Sequence, residues 1–539
     1  MKALLHSGLF TSHDIWHQVA RLYHYYQGLT DGQIPPYWIA TLANGFGYPL
    51  FFFSYHLPWI LGAPFLLSGI DIPTTLKILF LSSYLLSGIF MYLFAFNLFQ
   101  NRFAALVSAL LYQWAPYHFL TILVGAAMGT TFAFVFLPLL LWGIHTLGSN
   151  KKPMMGITLT ALGFCGIILS HLLTTISLGP LVFLFIIWIL FTKTTATQRA
   201  VVFKNLLLSF TIGLGISAFY LLPAIYYLQD TQVGTGAFSA LYQKNFVNFD
   251  QLIYSRWGYG VADRAKDGVI SYQIGIAQWI SFFIAVVFII TSSSKRFHLI
   301  EKLSQFRWLA INLSLVFLLS IFLMIDPSRP FWDIATLFIA LDYPTMFLLS
   351  ATCAGSLLGG FVVTVTKERL QPVVFIGLLL IALFTNRNHL AVNMYTDIPV
   401  SLYVASEITT NSYHEYLPST ADVKLFDEPL TSIVLPNTII PTDITRNTKE
   451  LSFSISVPHK TEIIINHFSF AGIKLYVDNL LQAFKTDDRG RMIFNSEQGE
   501  HRVSVRFEET PLIKIAKFIT IGSLLYLLFL LAKIHAKTT

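Results

Sequence analysis

The chain has 539 residues, of which 55% are hydrophobic and only 12% charged, with a formal net charge of +7. An ordinary soluble domain carries about 25% charged residues, so this composition excludes a typical cytosolic enzyme. It also lacks the polar and basic density of a disordered or nucleic-acid-binding chain. What is left is a polytopic membrane protein, whose many Phe, Tyr and Trp side chains suit lipid and interface. Both cysteines, Cys165 and Cys353, sit inside apolar runs and imply no disulfide framework.

Residues 1–12 are too short to span a bilayer and lack the cleavage pattern of a signal peptide. The segment Ser12-His-Asp-Ile-Trp-His-Gln-Val-Ala-Arg-Leu-Tyr-His24 predicts a helix. On it Asp14, His17, Arg21 and His24 fall at i, i+3, i+7 and i+10 as one polar stripe, and Ile15, Val19, Leu22 and Tyr26 form the apolar counter-face. The expected placement is an amphipathic helix lying on the outer membrane surface. A carboxylate beside histidines at the water–lipid boundary suits abstraction of a proton from a hydroxyl. The plainer reading is an interface helix whose polar face meets water. His13 and His17 also stand at i, i+4 with Asp14 between them, a spacing that can hold a divalent metal. Such a trio recurs by chance in short stretches, and no metal or other cofactor is assigned.

Downstream, Gly32-Gln-Ile-Pro-Pro-Tyr-Trp38 and Asn44-Gly-Phe-Gly-Tyr-Pro-Leu50 are turn-rich and aromatic, the pattern of a structured outer loop. The apolar stretch 50–70 is interrupted by Pro58 and Pro64 and preceded by Pro49, which predicts a re-entrant or interfacial segment. A membrane-spanning helix needs roughly 20 mostly apolar residues. Eleven spans are expected, near 72–98, 103–119, 131–148, 155–170, 173–192, 205–227, 273–291, 308–325, 345–365, 372–386 and 513–533. Between 387 and 512 the hydropathy falls. Period-two alternation appears in Leu451-Ser-Phe453-Ser-Ile455-Ser-Val457 and in Val503-Ser-Val505-Arg-Phe507, with turn chemistry at Asp487–Gly490 and Glu497–Glu500. The expectation is a small β-sandwich-like domain tied back to the bilayer by the last span. Four regions follow: 1–71, a first outer region; 72–386, the bundle; 387–512, the β-rich domain; and 513–539, the anchor and tail.

Every second loop is basic: Arg102; Lys151 and Lys152; Lys193, Arg199 and Lys204; Lys295, Arg296, Lys302 and Arg307; Lys367 and Arg369; Lys533 and Lys537. Such loops face the cytoplasm, which puts 13–50, 229–272, 326–344 and 387–512 outside. With 13–50 outside, either a first span is missing from this sequence or the short N-terminus is carried across unaided, and the missing span is the expectation. On the outer side His171 joins two spans in a tight hairpin, and His56 and His118 lie near other span ends; ionisable groups at such depth are functional candidates. In the loop 229–272, Arg256 and Arg264 offer the fork that holds a phosphate or diphosphate, near Tyr254, Trp257, Asp263 and Lys266; a solvated loop has the same composition. Asp326, Arg329, Asp333 and Asp342 form a second charged outer patch. No nucleotide cradle is present, which argues against an ATP-driven pump, and no span carries the Asp/Glu chain of a proton-coupled transporter.

In order along the chain come His13-Asp14 with His17, Gly45-Phe-Gly-Tyr-Pro-Leu50, Gly125-Ala-Ala-Met-Gly129, Phe136-Leu-Pro-Leu-Leu-Leu-Trp-Gly143 and Ser170-His-Leu172. Glu415-Tyr-Leu-Pro418 and Gly499-Glu-His-Arg-Val503 follow, before a last span. This series resembles a bacterial family of polytopic membrane proteins described as "6-pyruvoyl-tetrahydropterin synthase-related domain; membrane protein", with its YfhO-type relatives. The resemblance covers nearly the whole chain. It implies the GT-C glycosyltransferase architecture: an acid in the first outer loop that acts as base toward the acceptor or positions it, and a sugar donor carried on a polyprenyl phosphate. Asp14 corresponds to that acid, and His171 to a Ser-His pair that positions donor or acceptor. The pterin label carries no chemistry here, because nothing builds the zinc site of a pterin synthase. Two departures stand out. The family has a span before the His-Asp motif, and its members often carry an acid where this chain reads Thr130.

The expectation is therefore an α-helical bacterial inner-membrane protein with a GT-C-like bundle, an extracytoplasmic β-domain and a final transmembrane helix. It would move a sugar from a polyprenyl-phosphate donor to a cell-envelope glycan or lipid at the outer face. Asp14 and His17 are the expected catalytic residues, and His13, His171, Arg256 and Arg264 the substrate-binding ones. The partners implied are membrane lipid, donor and acceptor, with no nucleic acid. The rival readings are a transporter or flippase of lipid-linked glycans and a non-catalytic envelope scaffold.

Overall fold

The computed structural model describes residues 2–149, 151–236, 241–260, 269–291, 301–336, 343–405, 414–426 and 432–535. Among the described residues, nine helices are long and apolar enough to cross a membrane: Ile72–Phe99, Met128–Ser149, Pro153–Ser170, Leu172–Lys193, Ala196–Ile216, Gln305–Met324, Pro344–Val365, Glu368–Thr385 and Pro511–Lys533. The chain is a polytopic helical protein with a C-terminal sheet region.

Three of the eleven expected spans take a different form. The stretch 103–119 is not one helix: Arg102–Gln113 ends before Pro116, whose ring cannot continue a helix and starts the short turn Pro116–Phe119. The span expected at 205–227 begins earlier, at Ala196, where Thr195 and Gln198 form a capping box, and it ends at Ile216. A separate helix, Ala218–Tyr227, follows. The span at 273–291 is the shorter apolar helix Ile276–Thr291.

The packing that matters for the site is a helical hairpin. Met128–Ser149 and Pro153–Ser170 meet through glycines: a Cβ on Gly143 would lie 2.3 Å from Thr160 N, and one on Gly163 would lie 2.5 Å from Leu140 N. Small residues let two backbones approach to this distance, as apolar spans require when no hydrophobic force separates protein from lipid. Close approach along the hairpin brings its two open ends, Gly129 and Ser170-His171, side by side.

The region before the first long span is helix α1 (Ile15–Thr30), an aromatic loop, and the short helices α2 (Leu50–Phe53) and α3 (Leu57–Leu67), which break the apolar stretch 50–70 in two. The expectation of a surface-lying α1 is corrected here. Both its faces are covered, with Ile15, His17, Gln18, Val19, Leu22, His24 and Tyr25 all buried. Its polar stripe turns into the protein, where the neighbouring Gln18 bonds Ala126 and Tyr55 while Arg21 Nε and both His24 ring nitrogens have no hydrogen-bond partner among the described residues.

Strand β1 (Leu9–Phe10) pairs antiparallel with β2 (Tyr395–Thr396). The remaining strands are β3 (Val434–Leu435), β4 (Thr442–Arg446), β5 (Glu450–Val457), β6 (Thr461–Phe468), β7 (Ile473–Val477), β8 (Leu480–Gln482), β9 (Lys485–Thr486), β10 (Arg491–Ser496) and β11 (Gly499–Phe507). They form two antiparallel sheets, ordered β3-β6-β10-β9 and β4-β5-β11-β7-β8. The alternating residues Leu451, Phe453, Ile455 and Val457 are buried with Ile463, Ile465, Met492 and Phe494 of the other sheet in one apolar cluster. That cluster continues into α1 and the aromatic loop, so the sandwich and the first outer region share a core. Phe468 N–H donates to Phe46 O at 2.7 Å, and Ala40 N–H to Thr448 O at 2.8 Å. The Thr448 backbone N–H and hydroxyl both donate to Asp31 Oδ2, at 2.9 and 2.7 Å. Trp38 is fully buried between Gly47, His467 and Phe470.

At the exposed end of the sandwich His501 Nδ1 lies 2.7 Å from Asp478 Oδ2. Asp478 holds the imidazole above its ordinary value of 6.5, and His501 holds the carboxyl below its ordinary 3.8. The raised histidine stabilises the fold fully below 6.5 and loses that contribution as pH rises through its folded value. The depressed Asp478 contributes above 3.8 and loses it as pH falls. The pair is thus expected to help most between these values. Thermal unfolding at about pH 6 and about pH 8 checks this: His501→Ala should shrink the difference seen for the wild type, and an unchanged difference contradicts it.

Candidate functional site

The site grows from the first turn of α1. His13 N–H donates to Val124 O at 2.8 Å and Asp14 N–H to Gly125 O at 3.0 Å, which ties the helix start to the Gly125–Gly129 loop. One turn on, Gln18 Nε2 donates to Ala126 O at 2.8 Å, and its Oε1 accepts from the Tyr55 hydroxyl at 3.0 Å. Asp14, Gln18 and Arg21 share this face, at i, i+4 and i+7. Asp14 sits at the N-cap, yet its carboxylate caps nothing and makes no side-chain hydrogen bond among the described residues. Its acceptor lone pairs are therefore open to a hydroxyl.

Arg21 lies at the centre. Its guanidinium carbon is 5.8 Å from the middle of the Tyr55 ring, and its buried Nε has no hydrogen-bond partner among the described residues. The Tyr55 ring is 6.2 Å from that of His171. A Cβ on Gly129 would lie 2.4 Å from Ser170 O and 3.0 Å from both His171 Cδ2 and Tyr55 Cε1. Only glycine lets the loop, the Tyr55 ring and the hairpin turn close together here. His171 Nδ1 accepts from Thr174 N–H at 3.2 Å and lies 3.0 Å from the Thr174 hydroxyl, so it caps the next helix and its ring is held in place.

A fourth part arrives from far along the chain. Tyr416 N–H donates to the Tyr48 hydroxyl at 3.2 Å, and the Tyr416 ring stacks on Phe53 at 5.0 Å. Glu415, beside it, acts on Arg21 together with Asp14. Arg21 therefore stands among a carboxylate from α1, a carboxylate from the segment opening the β-rich region, and two tyrosines.

The electrostatics follow from this enclosure. Burial pushes the Asp14 carboxyl above its ordinary range, and Arg21 and His13 offset this only in part. Burial opposes the charge on Arg21, but Tyr55, Asp14, Glu415 and Tyr416 outweigh it and keep the guanidinium protonated. Burial and then the Arg21 charge push His171 down to about 4, so its imidazole is neutral at pH 7. The cluster thus combines a carboxyl, a protonated guanidinium and a neutral imidazole that act on one another electrostatically.

The other expected residues fall as follows. His13 is exposed, with Nε2 3.2 Å from Tyr259 O. His17 is buried. His24 is buried with neither ring nitrogen hydrogen-bonded among the described residues, and burial pushes it down to about 4. His56 is enclosed by aromatic rings, with its two nitrogens 3.2 Å from the Tyr25 hydroxyl and 2.9 Å from Phe51 O, which fills its capacity structurally. His118 stacks flat on Phe134 at 4.0 Å. Arg256 is exposed on the loop that carries Tyr259. Arg264, with Asp263, Lys266 and Asp342, lies outside the described residues. The guanidinium whose charge reaches Asp14 is that of Arg21. Among the described residues no group of three His, Cys, Asp or Glu side chains gathers to hold a metal.

Reading the sequence missed Tyr55 and Gln18, took Glu415 only as part of a motif opening the β-rich segment, and took Arg21 only as a member of the stripe. The i, i+7 spacing of Asp14 and Arg21 was the available signal for the cation.

No protein-family model matches the chain. Over 212 residues it is 26% identical to an uncharacterized protein of Lactococcus lactis subsp. cremoris (strain MG1363), a match that covers 38% of this chain. The same match covers 34% of that protein, so the chain spans about a third of the length of this relative.

Proposed function

We propose that the protein is a GT-C-like glycosyltransferase of the bacterial inner membrane, moving a sugar from a polyprenyl-phosphate donor to a cell-envelope glycan or lipid at the outer face. The observation that carries this reading is the pairing, in one enclosed cluster, of an Asp14 carboxylate with no side-chain hydrogen bond among the described residues and the Arg21 cation. The alternation of basic loops supports an outer placement for the cluster and for the β-domain.

In this mechanism the acceptor hydroxyl attacks the anomeric carbon in line. The new carbon–oxygen bond forms as the bond to the donor phosphate breaks, and the hydroxyl proton passes to Asp14. The phosphate of the departing lipid gains charge, which Arg21 balances; Arg256 is a further cation for the phosphate or sugar side. Neutral His171, fixed by Thr174, orients substrate without competing for the proton. Energy is stored in the lipid phosphate, so no nucleotide site is needed.

The test is to express the wild type and Asp14→Asn in matched hosts and profile envelope glycans by mass spectrometry. A hexose-sized mass shift restored by the wild type and lost in Asp14→Asn at equal protein level supports the reading. An identical profile from both contradicts it and favours a transporter or a scaffold.

A further inference from the structure

At the end of the bundle away from Asp14, the chain carries cations without matching anions. The candidate span Leu172–Lys193 starts beside His171 and runs 22 residues. Its two ends therefore stand roughly 33 Å apart, about the thickness of a hydrocarbon core. The turns holding Arg102, Lys151 and Lys152 lie at the Lys193 end, because His145 Nδ1 meets Asn97 Oδ1 at 2.7 Å and Ile189 packs beside Gly148. Between Asp71 and Asp230 the sequence contains no Asp or Glu.

Lys193 differs from the other lysines at this end in its seat. Its Nζ stands 5.3 Å from the centre of the Trp188 ring and 5.6 Å from that of Phe306, on the neighbouring span Gln305–Met324. It makes no hydrogen bond or ion pair among the described residues. Two ring faces hold an ammonium in place but leave its charge uncompensated. Arg199 is fixed against the same helix end: its Nε donates to Leu190 O at 2.9 Å, and its guanidinium carbon lies 4.9 Å from the centre of the Phe191 ring. It too has no carboxylate partner among the described residues. It also sits in the first turn of Ala196–Ile216, which holds no acid, so it adds to the positive end of the helix dipole. Beside these cations Phe191 and Trp308 are 61% and 60% exposed, as aromatic side chains are at a lipid boundary.

We propose that Lys193 and Arg199 bind the phosphate of an anionic phospholipid in the leaflet at this end of the bundle. The phosphate is the counter-ion that the chain omits, and a guanidinium suits it through paired N–H donors. Place argues for a lipid: basic side chains held between span ends at the bilayer boundary meet headgroups. A lysine in open water attracts anions diffusely, whereas one seated between two rings on two spans positions a single headgroup. Binding there bridges Leu172–Lys193, Ala196–Ile216 and Gln305–Met324, and so favours their packed arrangement.

The test gives the purified full-length protein phosphatidylglycerol or phosphatidylcholine in neutral detergent and counts retained lipid by native mass spectrometry. Wild type is expected to retain phosphatidylglycerol in preference, because choline cancels the phosphate charge of the other lipid. Lys193→Gln should weaken that retention about fivefold, the worth of one cation at an anionic headgroup, and Lys193→Arg should keep it. Lys151→Gln removes the same charge from an exposed turn at this end and should leave retention unchanged. Excess inorganic phosphate should not displace the lipid from the wild type. Equal losses from Lys193→Gln and Lys151→Gln, or no loss from Lys193→Gln, overturn the seat. Equal retention of the two lipids overturns the anionic assignment, and displacement by inorganic phosphate overturns the lipid. The lipid comparison and the phosphate arm use wild type alone, so they decide the matter even if a variant fails to fold. No arm involves sugar transfer, so the transferase reading stands or falls separately.

Discussion

Replacing Asp14 with asparagine is expected to lower sugar transfer by about two to four orders of magnitude without reducing the amount of folded protein. The first half follows from chemistry: the amide keeps the shape and removes the base. The second follows from the local structure, because the Asp14 side chain makes no hydrogen bond among the described residues and its loss orphans nothing. The pH profile carries a further sign. Transfer needs the ionised carboxylate, so activity should rise with pH through a value above the ordinary carboxylate range, since burial raises Asp14. Arg21→Gln removes the charge that pulls Asp14 back down, and should move that rising limb to higher pH while lowering the plateau. A limb that stays in place, with Asp14→Asn still active at equal protein level, would show that Asp14 is not the base.

The largest effect on stability is expected at Trp38. It is fully buried, its ring fills the space that a Cβ on Gly47 would need, and it packs on His467 and Phe470 of the β-domain. Trp38→Ala should cost about 3–5 kcal/mol, because the surrounding rings and backbone can collapse only partly into the cavity. It should also loosen the β-domain from the first outer region, since both belong to the same apolar cluster. Ile440, 75% exposed on the same domain, is the control, and Ile440→Ala should change stability by no more than about 0.5 kcal/mol. The comparison is the unfolding midpoint of the detergent-solubilised protein. Equal midpoints for the two variants would mean that the domain does not depend on this contact.

These effects mark where the sequence could be read and where it could not. The strands were legible because alternation at Leu451–Val457 and Val503–Phe507 is a local signal, set by the pleat alone. The polar stripe of α1 was also legible, but its surroundings were not. What covers it is the Gly125–Gly129 loop and Tyr55, which reach it only through long-range packing. The same holds for Arg21 and Glu415, nearly four hundred positions apart and brought together by the docking of the β-domain on Phe46 and Trp38. The broken span at 103–119 differs, since Pro116 announces the break in the sequence. The early start at Ala196 was likewise announced by Thr195 and Gln198, a cap hidden among polar residues that lower the hydropathy.

The central claim is that bond cleavage takes place at the cluster of Asp14, Arg21 and His171. The most direct measurement is turnover of a labelled polyprenyl-phosphate sugar by the purified wild-type protein in detergent, with envelope glycan or lipid acceptor present. The account predicts that label leaves the polyprenyl phosphate and appears on the acceptor, and that Asp14→Asn slows this by about two orders of magnitude or more. Binding of the labelled lipid with no transfer or release of sugar would contradict it and identify a carrier of lipid-linked glycan.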